Sequence, residues 1–315
     1  MKAVCKKLVL AVTAMFISIV FLAGAASSDV AMQTIFINAD GSLYPDSVPI
    51  QRNGNTYVFT GDIYGCLLVN RSGIVIDGAG YTLRGSSTGT PADVWIAQGP
   101  TSEISNQTTG YTMGIDAADK SVTGVTIKNL NIRDFSIGMY VETTNNTVTG
   151  NAVVNNIVGV LLSGSNNDII GNCIVDNEMG LFFGTTEANS VPLNLTVSHN
   201  SFINNTNHLN GCVCKSYNMT EDPHTWDNGE EGNYWDDYNG ADANSDGIGD
   251  TPYVIDVLNM DQYPLIQSRA VPPTVEPPPT GAANVPVEAV AAAAVLVTMV
   301  IVAVAAVRRK RRLPR

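Results

Sequence analysis

The stretch that decides the fold is "NTVTGNAVVNNIVGVLLSGS", residues 146–165, because the segments on both sides of it repeat its pattern. The preceding segment, "VTIKNLNIRDFSIGMYVET" (125–143), and the following one, "NDIIGNCIVDNEMGLFFGTT" (167–186), align with it at a fixed step of 21 residues. A fourth copy, "LTVSHNSFINN" (195–205), is displaced by an insertion of seven residues. A repeat of this length is typical of a solenoid, in which each copy forms one unit that stacks on the next.

The residues inside each repeat predict short β-strands rather than helices. The apolar runs are short, rich in Val and Ile, and separated by Asn and Gly, which is the composition of strands joined by tight turns. A leucine-rich repeat has a similar period, but its leucine signature is missing. We therefore predict an all-β, single-stranded parallel β-helix over residues 30–215, with Gly138, Gly159 and Gly180 aligned on neighbouring coils.

Alternation along the strands that contain these glycines sorts the side chains into inward and outward sets. We expect the inward set to form the core: Met139, Val141, Val160, Leu162, Leu181 and Phe183. Asparagines at the same step should stack at the corners of the coils and bond along the stack, because Asn tolerates left-handed turn geometry and its amide can form ladders. The two predicted ladders are Asn151, Asn172 and Asn200, and Asn156, Asn177 and Asn205.

The outward positions of these strands carry an apolar stripe of Tyr140, Leu161 and Phe182, which continues from Asp116. An apolar stripe of this kind is either a ligand-binding surface, for example one that stacks on sugar rings, or a face that a neighbouring loop covers. The sequence leaves both readings open. The Ser-, Thr- and Gly-rich segment 86–113 reads as a long loop, and such loops often carry binding function.

Both ends of the chain carry membrane-directed patterns. Residues 1–25 combine three lysines with a long apolar run and small residues, which predicts a secretory signal, with an uncleaved anchor as the alternative. Residues 289–307 are uncharged and long enough to span a bilayer as a helix, and a basic tail follows at 308–315. A proline-rich stalk, 269–288, precedes that helix. We expect a single-pass cell-membrane protein with an extracellular ectodomain and a cytoplasmic tail.

The charge balance argues against nucleic acid as a partner. The formal net charge is −12, and nine of the 17 Lys and Arg residues lie in the two terminal segments, which contain no acid. The remaining, exported part is therefore strongly acidic, which suits cations rather than phosphate backbones. Six N-x-S/T sequons are compatible with a glycosylated exterior: Asn70, Asn106, Asn145, Asn194, Asn204 and Asn218.

The stretch "DYNGADANSDGIGDTPY", residues 237–253, has the spacing of a calcium loop. Oxygen ligands recur at alternate positions, and Gly247 provides the sharp bend that such loops need. Tyr253 stands where an EF-hand has a bidentate Glu, so Asp236, Asp237 or Asp256 would complete the shell. The predicted structural Ca²⁺ ligands are Asp242, Asn244, Asp246, the carbonyl of Ile248 and Asp250. We expect residues 216–268 to cap the open end of the β-helix.

Two segments carry a family resemblance, together with the "GN…NN..G" coils. "GIVIDGAGYTL" (73–83) and "WDNGEEGNYWDDYNGADANSDGIGDTPYVI" (226–255) resemble archaeal surface proteins of the NosD type, also described as carbohydrate-binding and sugar-hydrolysis (CASH) β-helix domains. The resemblance covers roughly residues 50–266. It implies a right-handed parallel β-helix outside the cytoplasmic membrane and does not imply one reaction. The description of this family as copper-binding is tied to one operon context.

Cysteine usage leaves two readings. The exported part holds Cys66, Cys173, Cys212 and Cys214, and an even number in an exported chain favours disulfides. Cys66 and Cys173 should lie too many coils apart to pair, so Cys173 with one of the C-x-C residues is the more plausible bridge. The alternative is a copper or zinc site that combines soft thiolate and imidazole ligands. Its candidate ligands are Cys212, Cys214, His208 and His224.

Catalytic candidates are few. A polysaccharide lyase or glycoside hydrolase on a β-helix needs paired carboxylates, or a metal-binding carboxylate beside a basic residue. The outward residues that offer this chemistry are Asp116, Glu142 and Arg133. The leading functional hypothesis is binding of carbohydrate or another cell-surface component. The alternatives are a polysaccharide-processing enzyme and a copper-handling factor, and the sequence does not identify the ligand or the oligomeric state.

Overall fold

Each 21-residue repeat folds as one coil, and successive coils stack along an axis. The protein is described by a computed structural model over residues 32–86, 112–117, 119, 121–184, 192–211 and 224–269. The predicted signal, stalk, membrane helix and tail lie outside the described residues, apart from Arg269 at the start of the stalk. Cys212 and Cys214 and most of the predicted loop 86–113 also lie outside them. Within the described part of the chain, we find no helix with the length and hydropathy that crossing a membrane requires.

The coils present three faces, labelled A, B and C, whose strands pair in parallel except for the antiparallel pair formed by the first two strands of face B. Face A consists of β1 Gln33–Ile37, β5 Ile63–Val69, β8 Met113–Ala117, β11 Ile137–Val141, β14 Val158–Leu162, β17 Met179–Phe183 and β20 Asn207–Gly211. Face B consists of β3 Ile50–Asn53, β4 Thr56–Phe59, β6 Val75–Asp77, β9 Thr126–Lys128, β12 Thr147–Thr149, β15 Asp168–Ile170 and β18 Thr196–Ser198. Face C consists of β7 Thr82–Arg84, β10 Asn131–Arg133, β13 Ala152–Val154, β16 Cys173–Val175, β19 Ser201–Ile203 and β21 Tyr234–Trp235.

Three short strands lie outside the coils: β2 Leu43–Tyr44, β22 Tyr253–Val254 and β23 Met260–Asp261. Strand β5 is long enough to pair on two faces, so faces A and C, together with β2, which pairs with β1, form one 14-stranded sheet, while face B forms a 7-stranded sheet. Within a regular coil the chain runs from face B to face C to face A, for example through β12, β13 and β14. This winding of parallel strands confirms the predicted all-β solenoid.

The register of face A confirms the predicted alignment of the glycines. Met139 pairs with Val160, and Val160 with Leu181. A Cβ atom added at Gly138 would lie 2.6 Å from the carbonyl oxygen of Gly159, and one added at Gly159 would lie 2.6 Å from that of Gly180. No side chain fits in this column because the next coil occupies its space.

The predicted inward set forms the core. The six side chains are almost completely buried and belong to one continuous apolar cluster that runs the length of the coil stack: Met139, Val141, Val160, Leu162, Leu181 and Phe183. Their counterparts on faces B and C, such as Val148 and Val153, lie in the same cluster. Burial of this many apolar side chains is the main contribution to folding.

Both predicted asparagine ladders are present. Along the first, the backbone N–H of Asn151 donates to Asn172 Oδ1 at 3.0 Å, and that of Asn172 donates to Asn200 Oδ1 at 2.9 Å. The second joins Asn156, Asn177 and Asn205 in the same way. Each amide also donates to a carbonyl of the preceding coil, as Asn172 Nδ2 does to Val148 O at 2.8 Å. The ladders therefore satisfy backbone groups at corners where the strand pairing is interrupted.

The apolar stripe outside face A is aligned but buried. Tyr140 pairs with Leu161, and Leu161 with Phe182, which confirms the predicted column. Leu161 and Phe182 are only 6% and 3% exposed and belong to a second apolar cluster with Met113, Ile137, Val158 and Met179. This burial agrees with the covered alternative, and it removes the exposed faces that sugar stacking needs.

Candidate functional site: a cleft beyond the last coil

A cleft of about 740 Å³ lies between the last coil and the segment that follows it. One wall is the turn before β20 and most of β20 itself, residues 204–210. The other walls are Asp236 and Asp237, just after β21, and residues 253–256 on the β22–β23 hairpin. We call this the terminal cleft. The described residues of its lining include asparagines, a threonine, three aspartates and one histidine but no lysine or arginine, so they favour cations and hydrogen-bonding ligands.

His208 occupies the position that glycine holds in the coils before it. The pairing of β17 with β20 sets Met179 opposite Asn207 and Leu181 opposite Leu209, which places His208 beside Gly180. A Cβ at Gly180 would lie 2.6 Å from the His208 carbonyl. Strand β20 is the last strand in the order of face A, so no further described coil fills the space in front of His208. A side chain fits there for that reason, and this one lines the cleft.

The His208 ring lies against two carboxylates. Its Nε2 is 2.9 Å from Asp236 Oδ1 and 3.3 Å from Asp237 Oδ1. Asp236 Oδ2 accepts the backbone N–H of Asn204, which fixes that carboxylate. His208 is 9% exposed, whereas the side chain of Asp237 is 59% exposed. Among the described residues, these three form the one group of His, Cys, Asp or Glu whose ligand atoms all lie within 4.8 Å of one another.

An aromatic stack supports the wall of the cleft. Trp235 lies face to face with Phe202 of the last coil, with ring centroids 4.4 Å apart, and with Tyr253 on its other side at 4.3 Å. The Tyr253 hydroxyl donates to Asp237 Oδ2 at 3.3 Å. Burial, together with the negative charge of Asp237, raises the pKa of Tyr253, so this hydroxyl remains a donor at neutral pH.

A buried carboxylate anchors the same segment. Asp261, on β23, is completely buried and accepts hydrogen bonds from the backbone N–H of Asn233 at 2.7 Å and from Trp235 Nε1 at 2.9 Å. Asn233 in turn accepts the backbone N–H of Asn200. The first asparagine ladder thus continues through Asn233 and ends on Asp261. Desolvation raises the pKa of Asp261, although these donors oppose the shift.

The predicted calcium ligands form a compact acidic turn. Asp242 accepts the backbone N–H groups of Asp246 at 3.1 Å and Gly247 at 3.0 Å. Asp250 Oδ2 accepts the N–H of Ala243 at 2.7 Å, and Gly247 has a positive φ of 90°. Asn244 Nδ2 donates to Asp246 Oδ2. The loop folds around its own oxygens as the motif predicts, and calcium binding stays a prediction.

The structure separates the two histidines of the predicted copper or zinc site. His224 packs on the end of the core, stacked with Phe183 at 5.8 Å, and its burial lowers the pKa of the ring. It is not in the group formed by His208, Asp236 and Asp237. The two histidines contact different tryptophans, His224 lying against Trp226 and His208 against Trp235. That they share a metal site with Cys212 and Cys214 stays a prediction. Cys212 and Cys214 lie outside the described residues.

The expected disulfide of Cys173 with the C-x-C pair is also not formed, since Cys173 is a free, buried thiol. Burial raises its pKa to about 11, so it remains protonated at neutral pH. Cys66 donates from Sγ to Thr34 Oγ1 at 3.6 Å and is likewise buried.

The catalytic candidates fall on two faces. Asp116 pairs with Tyr140 across β8 and β11, and the Tyr140 hydroxyl donates to Glu142 Oε2 at 3.0 Å. Burial, with the neighbouring Glu142 charge, raises the pKa of Tyr140. Arg133 lies on face C, where its guanidinium contacts the buried Asp134 at 3.2 Å. The structure places Asp116 opposite Tyr140 in register and Glu142 in hydrogen-bond contact with Tyr140, whereas Arg133 contacts a different carboxylate.

Sequence reasoning missed the terminal cleft as a site. It assigned His208 to a cysteine cluster and considered Asp236 and Asp237 only as extra calcium ligands. One signal was available: the fourth repeat is offset by 28 residues, and His208 stands 28 residues beyond Gly180. In the middle of the stack this position has room only for glycine. A histidine there therefore indicates that no further coil follows on that face.

The stacked coils, the three faces and the internal ladders define a parallel β-helix protein. The chain belongs to the NosD family: the family described as "Periplasmic copper-binding protein (NosD)" matches residues 28–240. No curated protein gave a match to the chain.

The family name raises the question of whether the described residues suit copper. Copper(I) is held by soft thiolate and thioether ligands. The group around His208 offers one imidazole and two carboxylates, and no described cysteine belongs to it. These donors do not fit copper(I), and they are typical of divalent ions that accept nitrogen and oxygen together.

Proposed function

We propose that this protein binds carbohydrate at the cell surface and that the terminal cleft holds the sugar. The observation that carries the proposal is the lining of the cleft, which consists mainly of amide, hydroxyl and carboxylate side chains on a rigid support. Sugar hydroxyls need such groups, because each hydroxyl both donates and accepts hydrogen bonds. The volume of about 740 Å³ is within the range of small-molecule sites, roughly 300–1,000 Å³.

The shape of the lining supports a polar ligand with one less polar side. Asn204, Asn207 and Thr206 are exposed along the wall formed by the last coil. The opposite wall carries Tyr253 and Val254, and the side chain of Val254 is 65% exposed. A sugar ring has polar edges and less polar faces, so it can contact both walls at once.

The remaining parts of the proposal concern the handedness of the coils, the cap at their end and the membrane anchor. We infer that the coils wind in the right-handed sense, that residues 216–268 cap their end, and that 289–307 anchor the protein in the cell membrane. The packing of Trp235 on Phe202 supports the cap. The apolar segment and the basic residues after it support the anchor. This arrangement places the β-helix outside the cell.

The carbohydrate proposal predicts a site-specific loss of binding. A glycan array probed with the full-length chain should identify a glycan, and calorimetry should then give its affinity. Replacing Asn207 by alanine should weaken that binding about tenfold, because one hydrogen bond to the ligand is lost. Glu230→Gln is the matched control, since Glu230 is an exposed polar residue of the C-terminal segment outside the cleft.

Two outcomes would contradict the proposal. One is an array without any bound glycan, and the other is equal affinity in Asn207→Ala and Glu230→Gln. Release of shortened products from a bound polysaccharide would support the enzymatic alternative instead.

The calcium proposal predicts a gain in thermal stability. Free Ca²⁺ at 100 times its Kd stabilises the folded state by about 2.7 kcal/mol, which corresponds to roughly 5–10 °C in Tm for a domain of this size. Thermal melts with Ca²⁺ and with a chelator measure this difference. Asp242→Asn should abolish it, whereas Asp119→Asn, which alters a similar Asx turn far along the chain, should not. Equal Tm values in Ca²⁺ and chelator would rule out a structural ion.

A copper-handling role is the second candidate function. The observation that favours it is the family match over residues 28–240. The donor set around His208 gives this role no support among the described residues, and the titration described below also tests it.

A further inference from the structure

We propose that His208, Asp236 and Asp237 bind a divalent transition-metal ion of the zinc class in the terminal cleft. This inference goes beyond carbohydrate binding, because the ion alone can be titrated in the absence of any sugar. It rests on the arrangement of three side chains from two elements: His208 on β20 of the last coil, and the two aspartates that follow β21.

The spacing of the ligand atoms already suits an ion. Ligands that bind zinc tetrahedrally at about 2.0–2.2 Å lie roughly 3.4 Å from one another. Nε2 of His208 is 3.3 Å from Asp237 Oδ1 and 2.9 Å from Asp236 Oδ1, and all three ligand atoms lie within 4.8 Å. An ion therefore needs only small side-chain rotations, and three protein ligands leave a fourth position open to water or ligand.

The electrostatics favour a cation. Asp236 and Asp237 are adjacent in the chain, Asp256 lines the same cleft, and none of the lining residues that the structure describes is a lysine or arginine. Among the described residues that line the cleft, His208 is the one basic side chain, and its Nε2 lies against both carboxylates. A divalent ion would neutralise both carboxylates at once.

The surroundings hold the ligands in place. Asp236 accepts the N–H of Asn204, and Asp237 accepts the hydroxyl of Tyr253. Such second contacts are typical of metal ligands, because they fix the orientation of the donor atoms. On the far side of the imidazole, Nδ1 is 3.4 Å from Asn205 Nδ2, too far for a strong hydrogen bond.

The donor types select the ion. Imidazole nitrogen is a poor ligand for Ca²⁺, which binds oxygen, and the absence of sulfur from this group disfavours copper(I). One imidazole with two carboxylates suits Zn²⁺ and similar divalent ions. The site therefore differs in chemistry from the acidic loop at 242–250, which offers only oxygen.

Calorimetric titration of the full-length chain with Zn²⁺ alone, in excess Ca²⁺ to occupy hard oxygen sites, tests the proposal. We expect one high-affinity Zn²⁺ per chain. His208→Asn and Asp237→Asn should each weaken it at least tenfold. Asp237 is well exposed, so that variant should keep the fold. His199→Asn is the matched control, because His199 Nε2 contacts the Glu231 carboxylate at 3.4 Å on the surface, outside the group of three.

The outcomes separate this inference from the proposed function. Absence of Zn²⁺ binding, equal affinity in Asp237→Asn and His199→Asn, or tight binding of copper(I) with none of Zn²⁺ would overturn the metal site. Zinc binding that Asp237→Asn removes would support it, whether or not the array finds a glycan. Glycan binding that Asn207→Ala weakens supports the proposed function even if zinc does not bind.

Discussion

Replacing Asn172 by alanine is expected to destabilise the protein by about 3–6 kcal/mol. Asn172 is completely buried in the middle of the first ladder. Its side chain accepts the N–H of Asn151 at 3.0 Å and donates to Val148 O at 2.8 Å. Alanine leaves both of these buried groups without a partner, at about 1–3 kcal/mol each, and opens a small cavity as well.

Urea unfolding of the wild-type and variant chains measures this loss. Asn53→Ala is the matched control, because Asn53 is exposed on β3, and it should change stability by less than about 0.5 kcal/mol. Asn172→Asp retains the acceptor but sets a carboxylate against Val148 O and Asn200 Oδ1. It should be at least as damaging at pH 7 and less so at pH 4, where burial keeps it protonated. A loss below about 1 kcal/mol for Asn172→Ala would contradict the structural role of the ladder.

Replacing Trp235 by alanine is expected to cost about 3–5 kcal/mol, the range for removal of a large buried aromatic. Trp235 is 1% exposed, and both faces of its ring are covered, by Phe202 and Tyr253. The substitution also removes the N–H that donates to the buried Asp261. The stack joins the last coil to the β22–β23 hairpin, so its loss should loosen one wall of the terminal cleft.

Trp235→Phe separates the two contributions of the indole. Phenylalanine keeps an aromatic ring between Phe202 and Tyr253 but has no N–H for Asp261, so it should cost about 1–3 kcal/mol. The measurement is again urea unfolding, with amide hydrogen exchange at Tyr253 and Val254 as a local readout. If the alanine variant were as stable as the phenylalanine variant, the stack would have no part in holding the hairpin.

The sequence predicted the regular part of the fold because one period controls several features at once. The 21-residue step that aligns Gly138 with Gly159 also aligns Asn151 with Asn172 and the core residue Val160 with Met139. Each alignment needs only the spacing and the size or hydrogen-bonding capacity of a side chain. The third ladder, from Asn146 to Asn167, follows from the same step, although the sequence analysis did not name it.

The end of the stack could not be predicted in this way. Asn233 continues the first ladder 33 residues after Asn200, and Asp261 ends it 28 residues later, with a carboxylate in place of an amide. A search for 21-residue repeats does not find Asn233 or Asp261, because their spacing along the chain is irregular and Asp261 is not an asparagine. Asp236 contacts His208 although the two residues are separated by a similar number of residues in the sequence. The burial of Leu161 and Phe182 depends on tertiary packing, which the spacing does not encode.

The carboxylate of Asp261 fixes the end at which the first ladder stops. Every asparagine in the first ladder bonds in the same direction along the stack. Its Oδ1 accepts N–H groups from the asparagine on one side, and its own N–H groups donate to the Oδ1 on the other side. The Asp261 carboxylate accepts from Asn233 and Trp235 and, unlike an asparagine side chain, has no amide N–H to donate to a further rung. An additional 21-residue unit would therefore fit the ladder pattern in the interior of the stack, among coils such as those of Asn151 and Asn172.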